Sequence, residues 1–369
     1  FSQNAAPYNA FDIPGFPWEF NLYEPGFDAS WEIDVFGGTR RSIEAARADS
    51  EAGVEDQRAA LVSVTAEVAL NYIALRGYQE ELALARHNLR VQQESLDLTK
   101  NQSVRGVGTQ LDVSRAEAQV AATQAALPAL ERQAWEAIYR LSVLLNEPVE
   151  KLDYLREPSP LPGVPDRIAV GVPAELLRRR PDIRRAERQL AAATARIGEA
   201  QAALYPRFSL TGVFNLQSAS LDDLFDWKSR AFSLGPTVRW PIFDAGALRA
   251  AVGVRTAQKD AALATYELTV RNAVAEVRES LVAFTTERQR QASLAEAVKA
   301  DEDAVDLARQ LYGQGLTDFL NVLDAERQLY SAQDAKAQSD ATEAAALVSL
   351  YRSLGGGWDT DVATTRPSP

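Results

Sequence analysis

Gly26-Phe-Asp-Ala-Ser-Trp-Glu-Ile-Asp-Val-Phe-Gly37 and Gly235-Pro-Thr-Val-Arg-Trp-Pro-Ile-Phe-Asp-Ala-Gly246 share their two outer glycines and a tryptophan at one spacing. They stand 209 residues apart. Extended without a gap, the match aligns residues 16–126 with 225–335 and gives 24 identities in 111 positions. Alanine-rich helices inflate such counts, so the rarer residues carry the weight. Phe16 matches Phe225, Trp18 matches Trp227, Trp31 matches Trp240, and Gly106 matches Gly315, so four of the six tryptophans form two pairs. The match fades through Leu141/Leu350 and Leu145/Leu354. A period this long marks an internal duplication of a half-domain, not a short-repeat solenoid. The repeated unit reads as strand, long helix, short turn, long helix. Between the copies, Glu157-Pro-Ser-Pro-Leu-Pro-Gly-Val-Pro165 reads as a linker.

A helical stretch, Asp182 to Leu204, and an alternating strand from Phe208 precede the second copy. Subtracting 209 from these positions places most of their counterpart before residue 1. An extra helix and strand are therefore expected upstream. Residue 1 is not methionine, and the chain holds no cysteine. Any signal peptide or lipid-anchor cysteine is expected upstream as well.

Three segments alternate with period two, which places one set of side chains on each face of a strand. Phe27, Ala29, Trp31, Ile33 and Val35 alternate with Asp28, Ser30, Glu32 and Asp34. Phe208, Leu210, Gly212, Phe214 and Leu216 form a second series, and Phe232, Leu234, Pro236, Val238, Trp240 and Ile242 a third. Each run is about 9–11 residues, the length of a tilted membrane strand. A soluble sheet with one wet face has the same pattern. Strand number separates the two readings. The complete duplicated unit holds about four strands, a closed membrane barrel needs about eight or more, and lipid tolerates no open sheet edge. If the strands span a membrane, several subunits share one barrel, and three of them supply about twelve strands. Trp31 and Trp240 then fit an interfacial aromatic belt, with ordinary burial as the competing reading.

No proline occurs from Thr39 to Leu127 or from Ile242 to Arg366. Leu61, Val68, Leu75, Leu82, Leu89 and Leu96 recur every seven residues, and Val270, Val277, Phe284, Val298 and Val305 keep that register, with Gln291 the exception. A sustained heptad implies left-handed coiled-coil packing. The stretch from Arg40 to about Ser103 makes a helix of roughly 96 Å at about 1.5 Å per residue. Gly106 with Gly108, and Gly313 with Gly315, interrupt the pattern midway and mark two antiparallel hairpin turns. The expected fold class is thus mainly α with a β part, transmembrane if its strands meet lipid and a one-sided soluble sheet otherwise.

Composition excludes several functions. No run of 18 apolar residues signals a transmembrane helix. The formal charge of −12 argues against nucleic-acid binding. No nucleotide loop, catalytic triad or metal-ligand cluster is legible, so neither enzyme activity nor a cofactor nor a metal is expected. His87, the single histidine, reads as an exposed residue on a coiled-coil helix.

Gly171-Val-Pro-Ala-Glu-Leu-Leu-Arg-Arg-Arg-Pro-Asp-Ile183, continuing through Ala186-Glu-Arg-Gln-Leu, Ile197-Gly-Glu-Ala and Tyr205-Pro-Arg-Phe-Ser-Leu, resembles the signature of TolC-like outer-membrane factors of the OprM/NodT type. Val322-Leu-Asp-Ala-Glu-Arg327 resembles the family's second hairpin tip. The resemblance implies a homotrimer in the Gram-negative outer membrane, with a twelve-stranded β-barrel above a periplasmic α-barrel. It assigns residues 1–38 and 206–245 to barrel strands and loops, and 39–136 and 246–345 to helical hairpins. An equatorial belt and linker take 137–205 and 346–369. It implies a passive exit duct coupled to a periplasmic adaptor and an inner-membrane pump of the RND type. Leu320, Asn321 and Asp324 correspond to constriction residues, with Asp112 and Arg115 on the partner tip. Arg105, Arg115 and Arg327 either pair with these acids or are solvated. Helix capping is the competing role for Asp112 and Asp324. An adaptor-type or soluble scaffold protein is the alternative function. The adaptor has one hairpin where this chain repeats two, and a scaffold needs no alternating strands.

Overall fold

The computed structural model describes residues 2–3, 21–106, 108–165 and 179–356. Phe16, Trp18, the signature stretch 171–178 and the tail 357–369 lie outside the described residues. Two compact units are formed, 1–52 with 186–266, and 53–185 with 267–369.

In the first unit, a two-residue pair, β1 (Ser2–Gln3) and β2 (Asn21–Leu22), accompanies an antiparallel sheet. The sheet runs in the order β3 (Gly26–Ile33), β4 (Arg207–Leu216), β5 (Arg230–Arg239). Its register aligns Phe27 with Phe214 and Phe232, Trp31 with Leu210 and Pro236, and Ile33 with Phe208 and Val238. Because facing residues share a side of the sheet, one side is apolar across all three strands, except at Arg230, which faces Leu216 at the start of β5. The other carries Asp28, Ser30, Glu32, Ser209, Thr211, Ser233 and Thr237, with Val213 among them. Among the described residues the apolar side is uncovered: Phe27 is 84% exposed, Phe232 82% and Trp31 65%.

Two of the strands are shorter than their alternation. β3 ends before Asp34, whose carboxylate turns to the first helical turn instead. It accepts from Thr39 N at 3.2 Å and Arg40 N at 2.9 Å. β5 ends before Trp240-Pro241, because proline has no N–H for a ladder. Asp244 then caps the next helix, accepting from Gly246 N at 3.0 Å and Leu248 N at 2.7 Å. Three described strands share this sheet, one fewer than the four expected of a complete subunit.

Helix α1 (Gly38–Val104) and helix α4 (Ala247–Gly313) are each 67 residues long, and their ends are 209 residues apart at both termini. α2 spans Gln110–Leu145, α3 Pro181–Ala202 and α5 Phe319–Ser353. Pro128 sits inside α2, and both α2 and α5 continue past residues 136 and 345. Within the first unit, α3 runs antiparallel to the start of α1. A Cβ on Gly38 would meet Ala202, Arg41 lies against Gly198, and Arg188 pairs with Glu51 at 3.3 Å. Alanines 45, 48 and 52 on α1 and alanines 192, 193 and 195 on α3 are buried.

In the second unit, α1 is flanked by α2 and α5. Arg86–Glu131 at 2.7 Å and Lys100–Glu117 at 3.2 Å tie it to α2. A Cβ on Gly77 would stand 3.0 Å from Ala341, Asn88 donates to Gln333 at 3.4 Å, and Ser95 donates to Glu326 at 2.7 Å. Residue numbers rise on α1 as they fall on α5, so the two are antiparallel. A 3-10 segment, Val149–Arg156, closes the largest apolar cluster, in which Leu152 and Leu155 meet Leu75, Ala137, Ile138 and Leu141.

The heptad is only partly buried in one chain: Leu75, Phe284 and Val305 are buried, whereas Leu61 is exposed. α1 also contains an 18-residue window long and apolar enough to cross a bilayer by those two measures. The count of unbroken apolar runs overlooked it, because a few polar residues interrupt its Ala, Val and Leu.

Candidate functional site

Each hairpin tip is built by a glycine in the left-handed region. Gly106 has φ +77 and Gly315 φ +73, so the same repeat position makes both turns. Gly106 N donates to Ser103 O at 3.0 Å and Gly315 N to Tyr312 O at 2.9 Å, closing the helix ends. Gly108 is closely packed, since a Cβ there would lie 3.2 Å from Ser103 N. Gly313 is the last residue of α4, with open space around it, and lies within the turn closed by Leu316 N donating to Leu311 O at 2.9 Å.

The two tips then differ. At the first, Thr109 is the N-cap of α2 and forms a capping box with Asp112. Thr109 Oγ1 accepts from Asp112 N at 3.2 Å, and the Asp112 carboxylate accepts from Thr109 N at 3.3 Å. Asp112 is therefore occupied by the cap, and Arg115 approaches it only to 3.9 Å. At the second tip, Asp318 holds the N-cap position without a side-chain bond. Asn321 Nδ2 donates to Thr317 Oγ1 at 2.6 Å. Leu320 and Asn321 are exposed, and so is Asp324. Asp324 is the sixth residue of α5, past the first turn, so capping does not explain it. Among the described residues it makes no ion pair.

The arginines distribute unevenly. Arg327 Nε donates to Gln119 Oε1 at 2.8 Å and joins α5 to α2, with no ion pair among the described residues. Arg105 is exposed beside Gly106, with no ion pair among the described residues. Beneath the tips Tyr312, Phe319, Val322 and Leu323 bury against Ala116, with Leu96 alongside. The rings of Tyr312 and Phe319 lie 5.5 Å apart. This cluster joins both hairpins.

Two charge centres escaped the sequence reading. Glu326 is buried, and its Oε1 accepts from Ser95 Oγ at 2.7 Å and from Arg309 Nε and Nη2 at 3.1 and 2.7 Å. Three helices thus meet at one carboxylate oxygen. The second centre is Arg180, inside the signature stretch. It binds Asp182 with two nitrogens at 3.0 and 2.7 Å, Glu276 at 2.8 Å and Ser353 O at 2.7 Å. Burial pushes the Asp182 carboxyl up, but the Arg180 guanidinium outweighs this and holds it below the usual carboxylate range.

Trp31 lies on the apolar side of the sheet, and Trp240 follows β5 with its Nε1 donating to Leu204 O at 3.2 Å. His87 is exposed, with its Nδ1 2.8 Å from Arg90 Nη2. Among the described residues, no three His, Asp or Glu side chains gather closely enough to hold a metal ion.

Comparison with known proteins gives a consistent answer. The family model described as outer membrane efflux protein matches residues 15–147 and 172–356. The outer membrane protein OprJ of Pseudomonas aeruginosa is 37% identical over 329 residues, covering 89% of this chain and 69% of that protein. The solvent efflux pump outer membrane protein SrpC of Pseudomonas putida is 36% identical over 337 residues, covering 91% and 71%. Among solved structures, the outer-membrane channel OprN superposes with a TM-score of 0.89 at 40% identity, covering 97% of this chain and 79% of that one. The chain belongs to the outer membrane efflux protein family.

Proposed function

We propose that this chain is one subunit of a homotrimeric outer-membrane exit duct, the outermost part of a tripartite efflux system. The sheet carries the reading. Its three strands present an apolar side, broken only at its end by Arg230, that the described residues leave uncovered, opposite a mainly polar side. Lipid covers such a side, and water fills a lumen on the other. Neighbouring copies close the edges of β3 and β5, because lipid tolerates no unpaired ladder. Twelve strands from three copies, each completed by a fourth, are consistent with a barrel of ordinary size. Exposed heptad residues such as Leu61 offer surface for helices of neighbouring copies.

A duct of this kind has no energy source of its own. A periplasmic adaptor and an inner-membrane pump, of the RND class that the resemblance implies, supply it. Leu320 and Asp324 form the constriction in this reading, Asp324 as three carboxylates around one axis that attract cations and repel anions. Asn321 adds no charge, and Asp112 serves its cap. Trp31 and Trp240 sit at the membrane interface. The adaptor or scaffold reading is not favoured, since the family match covers both hairpins and their strands.

Particle mass in detergent and single-channel recording test the proposal together. Three chains per particle and a conducting state are expected, with higher conductance for Asp324→Ala. A detergent-free monomer that never conducts overturns the duct. Unchanged conductance in the variant removes Asp324 from the gate.

A further inference from the structure

The apolar side of the sheet carries one charge. Arg230 opens β5 on that side, facing Leu216, and its Cζ lies 3.8 Å from the centre of the Trp227 ring. Among the described residues it makes no ion pair. Phe225 and Trp227 are each 79% exposed, and Lys228 beside them is exposed and equally without an ion pair among the described residues. Topology fixes which edge of the sheet this is. β3 and β5 lead into α1 and α4, and α3 leads into β4, so all three helices join the sheet at the edge of Ile33, Arg207 and Arg239. Arg230 and the connection 217–229 lie at the opposite edge. In the duct proposed above, on which this inference rests, the helices enter the periplasm, so the edge at Arg230 meets the outer leaflet. The 10 residues of β5 rise roughly 25 Å when tilted as barrel strands are, the height of the apolar band of such a barrel. Trp227 and Trp240 bracket that height.

A cation on the lipid side, at the depth of the headgroups, calls for an anion from the lipid. The tryptophan face attracts the guanidinium and holds it. Stacking uses the flat of the guanidinium and leaves its edge donors free for the planar, two-pronged contact that suits a phosphate. The outer leaflet of the Gram-negative outer membrane is built of lipopolysaccharide, whose lipid A bears a phosphate at each end of a glucosamine disaccharide, with acyl chains below. We propose that Arg230, seated on Trp227, holds a phosphate of lipid A, whose acyl chains run down Phe214 and Phe232. Free phosphate is the weaker fit. Asp222, Asp223 and Asp226 share the connection with Lys228 and Arg230, three carboxylates against two cations, so its formal charge is −1 and it does not concentrate small anions. A lipid is held there by its chains, which bring its phosphate to the arginine whatever the charge of the connection.

Native mass spectrometry of the full-length protein in detergent, titrated with diphosphoryl lipid A, tests it. Saturable binding of one lipid per chain is expected. Arg230→Gln should weaken it roughly tenfold, the usual loss of one charge-assisted contact, and Arg230→Lys should fall between. Dephosphorylated lipid A should bind the wild type as weakly as lipid A binds Arg230→Gln. The same spectra count the chains in each particle, so a variant that fails to assemble shows itself. Trp227→Ala, which leaves the arginine unsupported, then decides by the same weakening. Absence of saturable binding, or unchanged affinity in an assembled variant, overturns the site. So does equal affinity for dephosphorylated lipid A or phosphatidylglycerol, and displacement by inorganic phosphate marks a free-anion site instead. A three-chain, conducting particle that ignores lipid A removes this site and leaves the duct standing, whereas a detergent-free monomer removes both.

Discussion

Replacing Glu326 by alanine should loosen the second hairpin without unfolding the protein. One oxygen of this carboxylate accepts three hydrogen bonds, two from Arg309 on α4 and one from Ser95 on α1. Removing one member of a buried pair usually costs about 3–5 kcal/mol, because the other charge stays behind. Here the Glu326 side chain is 6% exposed but that of Arg309 is 35% exposed, so water recovers part of the loss. A net cost of about 2–3 kcal/mol follows. Amide exchange reads this locally, since opening of a cooperative segment needs less free energy than global unfolding. At about 1.4 kcal/mol per tenfold, the amides of the first turns of α5 should exchange roughly 30- to 150-fold faster. Glu326→Gln keeps the shape and all three acceptor contacts but loses the charge, so it should fall between. Arg309→Ala combined with Glu326→Ala should cost less than the two changes summed, because each removes the other's partner. Exchange in α5 altered less than threefold by Glu326→Ala would refute the idea that this ion centre holds the hairpin.

Leu75 is wholly buried under the 3-10 segment, and Leu75→Ala should cost about 3–5 kcal/mol in unfolding, as cavities in packed cores do; a change under about 1 kcal/mol would mean that the segment collapses into the space. Thr109→Ala should destabilise the first tip by about 1 kcal/mol, seen as faster exchange of its first-turn amides, whereas Asp318→Ala at the second tip should do almost nothing. Glu81 gives a pH dependence. Burial first, then Asp334 and Glu80, raise its carboxyl from an ordinary 4.5 to about 7. The folded chain then binds more protons than the unfolded one between these values, so this group's contribution to stability falls as pH rises from about 4.5 through about 7. In Glu81→Gln, melting temperature followed across that window should fall less steeply with pH, and an unaltered slope would rule the carboxyl out.

Periodicity made the long helices legible, because seven-residue spacing and the absence of proline are properties of neighbouring residues. The turns were legible for the same reason: Gly106 and Gly315 announce a backbone that other residues rarely adopt. Gly313 ends its helix inside the turn, in open space and without the left-handed backbone of Gly315. Local rules missed the strand ends. Asp34 and Asp244 cap equivalent helices, yet they differ by 210 positions while Gly37 and Gly246 differ by 209. A one-residue slip hid the pair from an ungapped alignment, and Ala245 at φ 54 takes up the difference in the backbone. What stayed invisible was long-range: Ser95 and Glu326 are 231 residues apart, and Arg180 and Ser353 are 173 apart. Only the folded chain brings such partners together.

The duplication explains why the tips are not equivalent. By the repeat, Asp112 corresponds to Asn321 and Arg115 to Asp324. The first copy keeps its acid at the third position of the helix, where it completes a cap and is spent on local order. In the second copy the acid stands three residues later, beyond the reach of the capping amides and facing solvent. Its helix start, with no side-chain cap, is secured instead by Phe319 and Tyr312 below it and by Glu326 one turn further on. A locally capped tip is ordered by its own sequence, whereas a tip held by tertiary contacts can be released by changing those contacts. The exposed acid belongs to the second kind. In the gate proposed above, an element that both presents charge and moves is better built that way, since moving it breaks packing between helices and leaves each helix intact.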